Sequence, residues 1–594
     1  MSKINVNRPN QIRRVSGFKS IVSLLIVLFI TLFGGCHEKG YNSNSQEDQG
    51  NDYSNAPPLP PYQTDPNEPP AEIKLPASDK PEEIIEVPDE EELEIDLDIE
   101  IEEESIAEEV QFEQVPEEKV SKFNTEEYDR IYENDFVATW DHPLSTFSID
   151  VDNASYSNVR RFLTQYHELP PPDAVRIEEL INYFSYDYPQ PQGEHPFALV
   201  TEVAQCPWNP ERQLLHLGIQ GKSLDYEQLS PSNLVFLVDV SGSMDEPNKL
   251  PLVQKSLRLL INALQPTDRV AMVVYAGAAG LVLPSTPASD KTTIFKALDH
   301  LRAGGSTAGG AGIQLAYQIA KENFMVEGNN RVILATDGDF NIGTSSTGDL
   351  VRMIEEKRKQ DIYLTICGFG MGNYKDGRME QISNAGNGNY FYIDHIQEAE
   401  KVFVRELHAN LFTIAKDVKI QLEFNPKQVQ SYRLIGYENR LLAREDFDDD
   451  LKDAGELGAG HTMTALYEII PTPPEQEVST ATPLRYQQST VTAQADAGEM
   501  LTFKLRYKPI GSERSLLIEQ PVTTSEHTFD EASDNFQLSA TVAGFGLLLR
   551  KSQYRGTLNF SQLEGWLKGA QPAYNTDWQD FEQLLQTASL LSNQ

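Results

Sequence analysis

Between residues 232 and 410 the apolar positions keep two rhythms in turn. Residues 234–238 form an unbroken apolar run, as expected of a strand buried on both faces of a parallel sheet. Leu250, Val253, Leu257, Leu260, Ile261 and Leu264 then recur every three or four residues and mark one face of a helix. The same reading predicts strands at 270–275, 332–335, 362–367 and 391–393, and helices at 313–324, 348–359 and 396–409. The turn 277–280 is short, so 281–283 should run antiparallel at a sheet edge. This alternation predicts a doubly wound α/β domain over residues 231–410, whose ligands bind beyond the carboxyl ends of the strands.

On both sides of that block the pattern is different. Strands are predicted at 197–204 and 213–221, and again at 418–424, 431–437, 463–470, 501–507 and 515–519. Turns and polar loops separate them, so residues 196–230 plus 411–525 read as one antiparallel β-sandwich into which the α/β domain is inserted. Residues 140–195 read as an N-terminal helical region, with helices at 156–166 and 178–184, and residues 530–594 as three C-terminal helical stretches. Asp150, Asp152 and Asn153 suggest a calcium loop, but its glycine is missing, and capping of the next helix by Asn153 or Ser155 is the better account.

Length and charge extend this picture toward the N-terminus. A chain of 594 residues exceeds one hydrophobic core. A net charge of -41 argues against nucleic acid as a partner, because phosphates would be repelled. Twenty acidic residues against one lysine lie between Asp79 and Glu118. With proline-rich stretches before them, residues 36–125 read as a disordered, acidic tether. Ahead of it, Arg13, Arg14 and Lys19 precede a thirteen-residue, largely apolar run at 21–33. That is too short to span a bilayer and has the charge order of an export signal, here residues 1–35. Gly34, Gly35 and Cys36 resemble the bacterial lipobox, with Phe33 where leucine is usual. The resemblance implies a lipid on Cys36 and an exported, membrane-anchored chain. Cys206 and Cys367 read as buried thiols.

The candidate chemistry lies at the predicted carboxyl edge. The first strand ends in Asp239, Val240, Ser241, Gly242 and Ser243, a carboxylate and two hydroxyls on one tight turn. Thr336, Asp337 and Gly338 end the neighbouring strand, and Gly304, Gly305, Ser306 and Thr307 open the loop before a helix. Oxygen ligands with few direct charges suit a hard cation, Mg²⁺ first, with Mn²⁺ or Ca²⁺ as alternatives. No catalytic constellation accompanies them. Ser241 is not in a Gly-x-Ser-x-Gly elbow and no His-Glu-x-x-His is present. The stretch 217–223 would be a phosphate loop only if His216 were glycine, so no nucleotide is expected. The acidic run 446–456 has Leu451 at the turn glycine's place and reads as a solvated loop rather than a second calcium site.

Asp239, Ser241 and Ser243, Thr307 five residues before Gly312, and Asp337 in Thr-Asp-Gly resemble the metal-ion-dependent adhesion site of von Willebrand factor A (VWA) domains. That family has a Rossmann-like doubly wound fold. The resemblance implies Ser241, Ser243 and Thr307 near the ion, with Asp239 and Asp337 in support. It also implies a binding rather than catalytic function, in which a protein partner supplies a carboxylate as the last ligand. Stretches at 147–160, 170–186, 233–343, 368–377, 432–454 and 540–549 further resemble a bacterial envelope family in which such a domain has characteristic flanks.

Overall fold

The computed structural model describes residues 126–593 except 150–151, 226–228, 306–308, 339–346, 371–374, 474–489 and 571–575. The signal segment, the tether, Cys36 and Thr307 therefore lie outside the described residues.

The centre is a six-stranded sheet in the order Tyr390–Ile393, Ile362–Phe369, Asn329–Thr336, Ser232–Asp239, Arg269–Tyr275 and Ala279–Pro287. All neighbours are parallel except the last pair, which is antiparallel, as the short turn required. Every residue of Ser232–Asp239 and Asn329–Thr336 is buried, which explains their lack of polar alternation. Helices cover both faces. Leu250–Ala263, Lys291–Asp299 and the helical stretch from Ile396 to Leu411 pack on one, and Gly309–Glu322, Thr347–Arg358 and Asp376–Ala385 on the other. Lys291–Asp299 and Asp376–Ala385 were not predicted. Each shows few buried apolar side chains, Ile294 and Leu298 in one and Met379, Ile382 and Ala385 in the other, too few to set a period.

Two antiparallel sheets flank this domain. One runs Val137–Ala138, Val429–Ile435, Thr462–Pro471, Gln213–Gly221, Phe197–Gln205. The other runs Gly455–Gly458, Thr413–Phe424, Glu499–Pro509, Leu516–Thr523, with Leu144–Ser148 also on Thr413–Phe424. Their inner faces share one core, including Phe147, Leu217, Ile420, Tyr467 and Phe503. Strands from before and after the α/β block pair directly, as where Gln213–Gly221 meets Thr462–Pro471. Residues 144–148, grouped above with the N-terminal helices, are thus a strand of the sandwich, with Phe147 turned into its core. Helices Ala154–Arg161 and Ile177–Asn182 pack with the C-terminal helices Asp534–Leu549, Phe560–Gly569 and Thr576–Ser592 in a separate core.

Among the described residues no helix is long and apolar enough to cross a membrane. Asn153 stands at the N-cap of Ala154–Arg161 without a capping side-chain hydrogen bond; Glu179 instead accepts from the Ser155 amide at 2.8 Å. Asp152 accepts from the Tyr390 amide on one oxygen and pairs with Arg440 through the other, so protein groups occupy both.

Candidate metal centre

Asp239 is the last residue of the central strand and is fully buried. The chain then turns so that the Ser241 amide donates to Asp239 Oδ1 at 2.9 Å. This fold-back sets the two hydroxyls side by side, Ser241 Oγ and Ser243 Oγ being 3.0 Å apart. Ser241 is buried while Ser243, in the short 3₁₀ turn Gly242–Asp245, is exposed, so the pair faces solvent from one side. The loop before Gly309–Glu322 is stitched to this turn: the Gly242 amide donates to Gly305 O at 3.0 Å and the Gly304 amide to Val240 O at 2.7 Å. Gly305 has φ +88°, a left-handed conformation that glycine adopts without strain. At Gly312 a Cβ would overlap Tyr275, so glycine lets that helix lie directly on the sheet.

The neighbouring strand completes the arrangement. Thr336 Oγ1 lies 3.4 Å from Asp239 Oδ2, and Asp337, one residue beyond the strand, is fully buried. Burial raises the Asp239 carboxyl above the usual range and the negative Asp337 adds to this, while hydrogen bonds from Ser241 and Tyr275 oppose it. The structure therefore brings together Asp239, Ser241, Ser243 and Asp337. Two hydroxyls backed by two buried carboxylates form an oxygen donor set that fits a hard divalent cation, which would neutralise acids otherwise costly to bury.

One member of the site escaped sequence reasoning. Lys249 is 4% exposed, and its ammonium donates to Asp337 Oδ2 at 3.0 Å and to Ser243 O at 2.9 Å. Nothing in the local pattern marks a lysine at the start of an amphipathic helix as buried.

A second acidic group, Asp394, His395 and Glu398, also has ligand atoms close together. Arg160 fills it: Nε donates to Asp394 Oδ2 at 2.9 Å, and Nη2 contacts Asp394 Oδ1 at 2.5 Å and Glu398 Oε2 at 2.7 Å. This is a closed ion pair. In the acidic run 446–456 the carbonyls of Asp446 and Asp449 accept from the Lys419 ammonium. Cys206 and Cys367 are both free and buried, and burial pushes both thiols up.

This sheet, with a carboxylate and two hydroxyls at the tip of its central strand, defines a von Willebrand factor type A domain. Residues 233–405 match the family model of that description, and 122–216 match one described as von Willebrand factor. Residues 409–591 match the model "Uncharacterized protein YfbK, C-terminal". YfbK of Escherichia coli (strain K12) is 42% identical over 454 residues, covering 75% of this chain and 78% of that protein. The chain belongs to the YfbK family of VWA proteins. Protein sll0103 of Synechocystis is 27% identical over 266 residues, covering 44% of this chain and 60% of its own length. Among solved structures, a von Willebrand factor type A protein from Catenulispora acidiphila covers 66% of this chain and 89% of its own, at 16% identity and TM-score 0.39. VWA domains commonly mediate protein–protein interaction and often hold a divalent cation at an adhesion site.

Proposed function

We propose that this chain is an exported envelope protein, anchored by a lipid on Cys36, that captures a protein partner through a divalent cation and does not catalyse a reaction. Ser241, Ser243 and Thr307 would hold the ion, with Asp239 and Asp337 behind them, and the partner would add a carboxylate. The observation that carries this reading is the pair of hydroxyls 3.0 Å apart in front of fully buried Asp239 and Asp337. Hydroxyl ligands leave the ion much of its positive charge, which an incoming carboxylate then meets. Mg²⁺ suits this donor set, with Mn²⁺ or Ca²⁺ as alternatives.

Calorimetric titration of Mg²⁺ and Mn²⁺ into the full chain, beside Asp239→Ala, tests it. Saturable binding in the parent and none in the variant is expected; no binding in either removes the basis for metal-mediated capture. Incorporation of labelled fatty acid, lost in Cys36→Ser, tests the anchor.

A second reading is a scaffold whose metal only stabilises the VWA domain. It is favoured by buried ion pairs between that domain and its flanks, among them Arg160 with Asp394 and Glu398, Arg176 with Asp376, and Lys401 with Asp577. Under it, Asp239→Ala or Thr307→Ala lowers thermal stability but leaves partner capture intact.

A further inference from the structure

Lys249 reaches the metal centre from the N-terminal border of Leu250–Ala263 and is fixed along its length. Its amide donates to Glu246 O at 2.9 Å, and its carbonyl accepts from Val253 N at 2.9 Å. Its stem lies against Gly370, where φ is +78° and a Cβ would overlap Cγ, Cδ and Cε of the lysine. At the far end the ammonium is held between Asp337 Oδ2 and Ser243 O. A lysine this buried is costly unless paired, and Asp337 and the Ser243 carbonyl supply its partners.

The effect of its charge follows from the other charges around the two hydroxyls. Among the described buried groups here, Asp239 and Asp337 bring two negative charges and Lys249 one positive, a net single negative charge. A divalent cation on Ser241 and Ser243 then leaves one surplus positive charge for an incoming anion; without the lysine the loaded centre would be neutral. Because Coulomb interactions strengthen away from water, that one charge acts on both steps.

We propose that Lys249 sets the charge of this centre, weakening its hold on the divalent cation and strengthening the loaded centre's hold on a carboxylate. This rests on the metal-dependent reading above. Lys249 is a positioning residue here: it acts on the ion through Asp337 and through space.

The test uses the full chain as wild type, Lys249→Met and Lys249→Gln. Mg²⁺ affinity is measured by calorimetry. Acetate affinity of the Mn²⁺-loaded protein is measured by displacement of metal-bound water in proton relaxation. Both variants are expected to bind Mg²⁺ about tenfold tighter and acetate about tenfold more weakly than wild type. If wild type binds Mg²⁺ and the variants bind it equally or less well, the lysine only props the turn and the inference is overturned, while the metal-dependent reading stands. Binding by the variants alone supports the inference, the lysine then outweighing the cation. Silence in all three overturns both. Circular dichroism establishes which variants are folded, and if methionine disrupts the site, glutamine decides, since it keeps a hydrogen-bond donor without the charge.

Discussion

Two pairs of buried acids in the VWA domain meet a buried cation in opposite ways. At the junction with the N-terminal helices, Arg160 lies across Asp394 and Glu398 and also donates to the Tyr183 hydroxyl at 3.0 Å. At the sheet rim, Lys249 meets Asp337 and the Ser243 carbonyl, and Asp239 accepts from the Ser241 amide. A planar guanidinium with a fork of donors closes an acidic cluster, whereas a point-like ammonium leaves Ser243 beside it exposed. The same ingredients thus make a structural joint in one place and a candidate binding centre in the other.

The joint should be the costlier of the two to break. Arg160→Ala strands two buried carboxylates and is expected to cost about 3–5 kcal/mol, read from urea unfolding. Burial alone would raise Asp394, but Arg160 and His395 hold it down at about 2. Its contribution is therefore full above the ordinary aspartate value of 3.8 and is lost as pH falls through about 2. The advantage of wild type over the variant should persist in mild acid and shrink only below about pH 4. An Arg160→Ala protein as stable as wild type would end the view of this junction as a joint.

The rim should respond to cation instead. Mg²⁺ at about 100 times its dissociation constant adds about 2.7 kcal/mol to a protein that binds it only when folded. Wild type should therefore melt a few degrees higher with Mg²⁺ than with chelator, and Asp239→Ala should show no difference. Arg160→Ala, if folded, should keep the full Mg²⁺ response from a lower start. Loss of that response in Arg160→Ala would mean that the joint and the rim are one coupled unit.

These two regions also mark how far the sequence could be read. The strands were legible because residues such as Val235 and Leu237 on one face, and Phe236 and Val238 on the other, are all buried, and a doubly covered sheet leaves an unbroken apolar run. Asp239, Ser241 and Ser243 could be singled out because a carboxylate and two hydroxyls lie within five residues. Lys249 and Asp337 are 88 positions apart, and Arg160 and Asp394 are 234 apart, so their pairing depends on the finished topology. Thr307, which the resemblance sets beside the ion, lies outside the described residues. Counting acids in sequence also gave no measure of burial, which is why the run 446–456 and the Asp150–Asp152 region both invited a calcium reading.

A further acid takes neither route. Glu456 accepts from Asn387 and from the Thr413 hydroxyl, and burial raises its carboxyl to about 7 despite Lys416 and Arg331. An acid raised in this way contributes stability that is full below its unfolded value of 4.5 and is lost as pH rises through about 7. Glu456→Gln should match wild type near pH 4 and exceed it at pH 8, by on the order of 3 kcal/mol. Equal stability at both ends would show that Lys416 and Arg331 compensate this carboxylate as fully as Arg160 compensates Asp394.

The smallest effect is expected in the acidic loop, and it bears most directly on what distinguishes a cation site from a crowd of acids. There Lys419 takes the Asp446 and Asp449 carbonyls, Lys508 the Asp450 carbonyl, and Arg506 the Asp448 carboxylate, whose side chain is 77% exposed. The inward oxygens are already occupied by protein cations and the outward carboxylate is hydrated, so calcium would have to displace lysines to find a cage. An exposed ion pair contributes little, and Asp448→Asn should change stability by at most about 0.5 kcal/mol. Made in the Asp239→Ala background, where the rim no longer binds cation, the substitution isolates the loop. Calcium should then leave the melting temperature unchanged with or without Asp448. A calcium-dependent rise that Asp448→Asn removes would make the loop a second cation site, and exposure of carboxylates could no longer be what separates it from the rim.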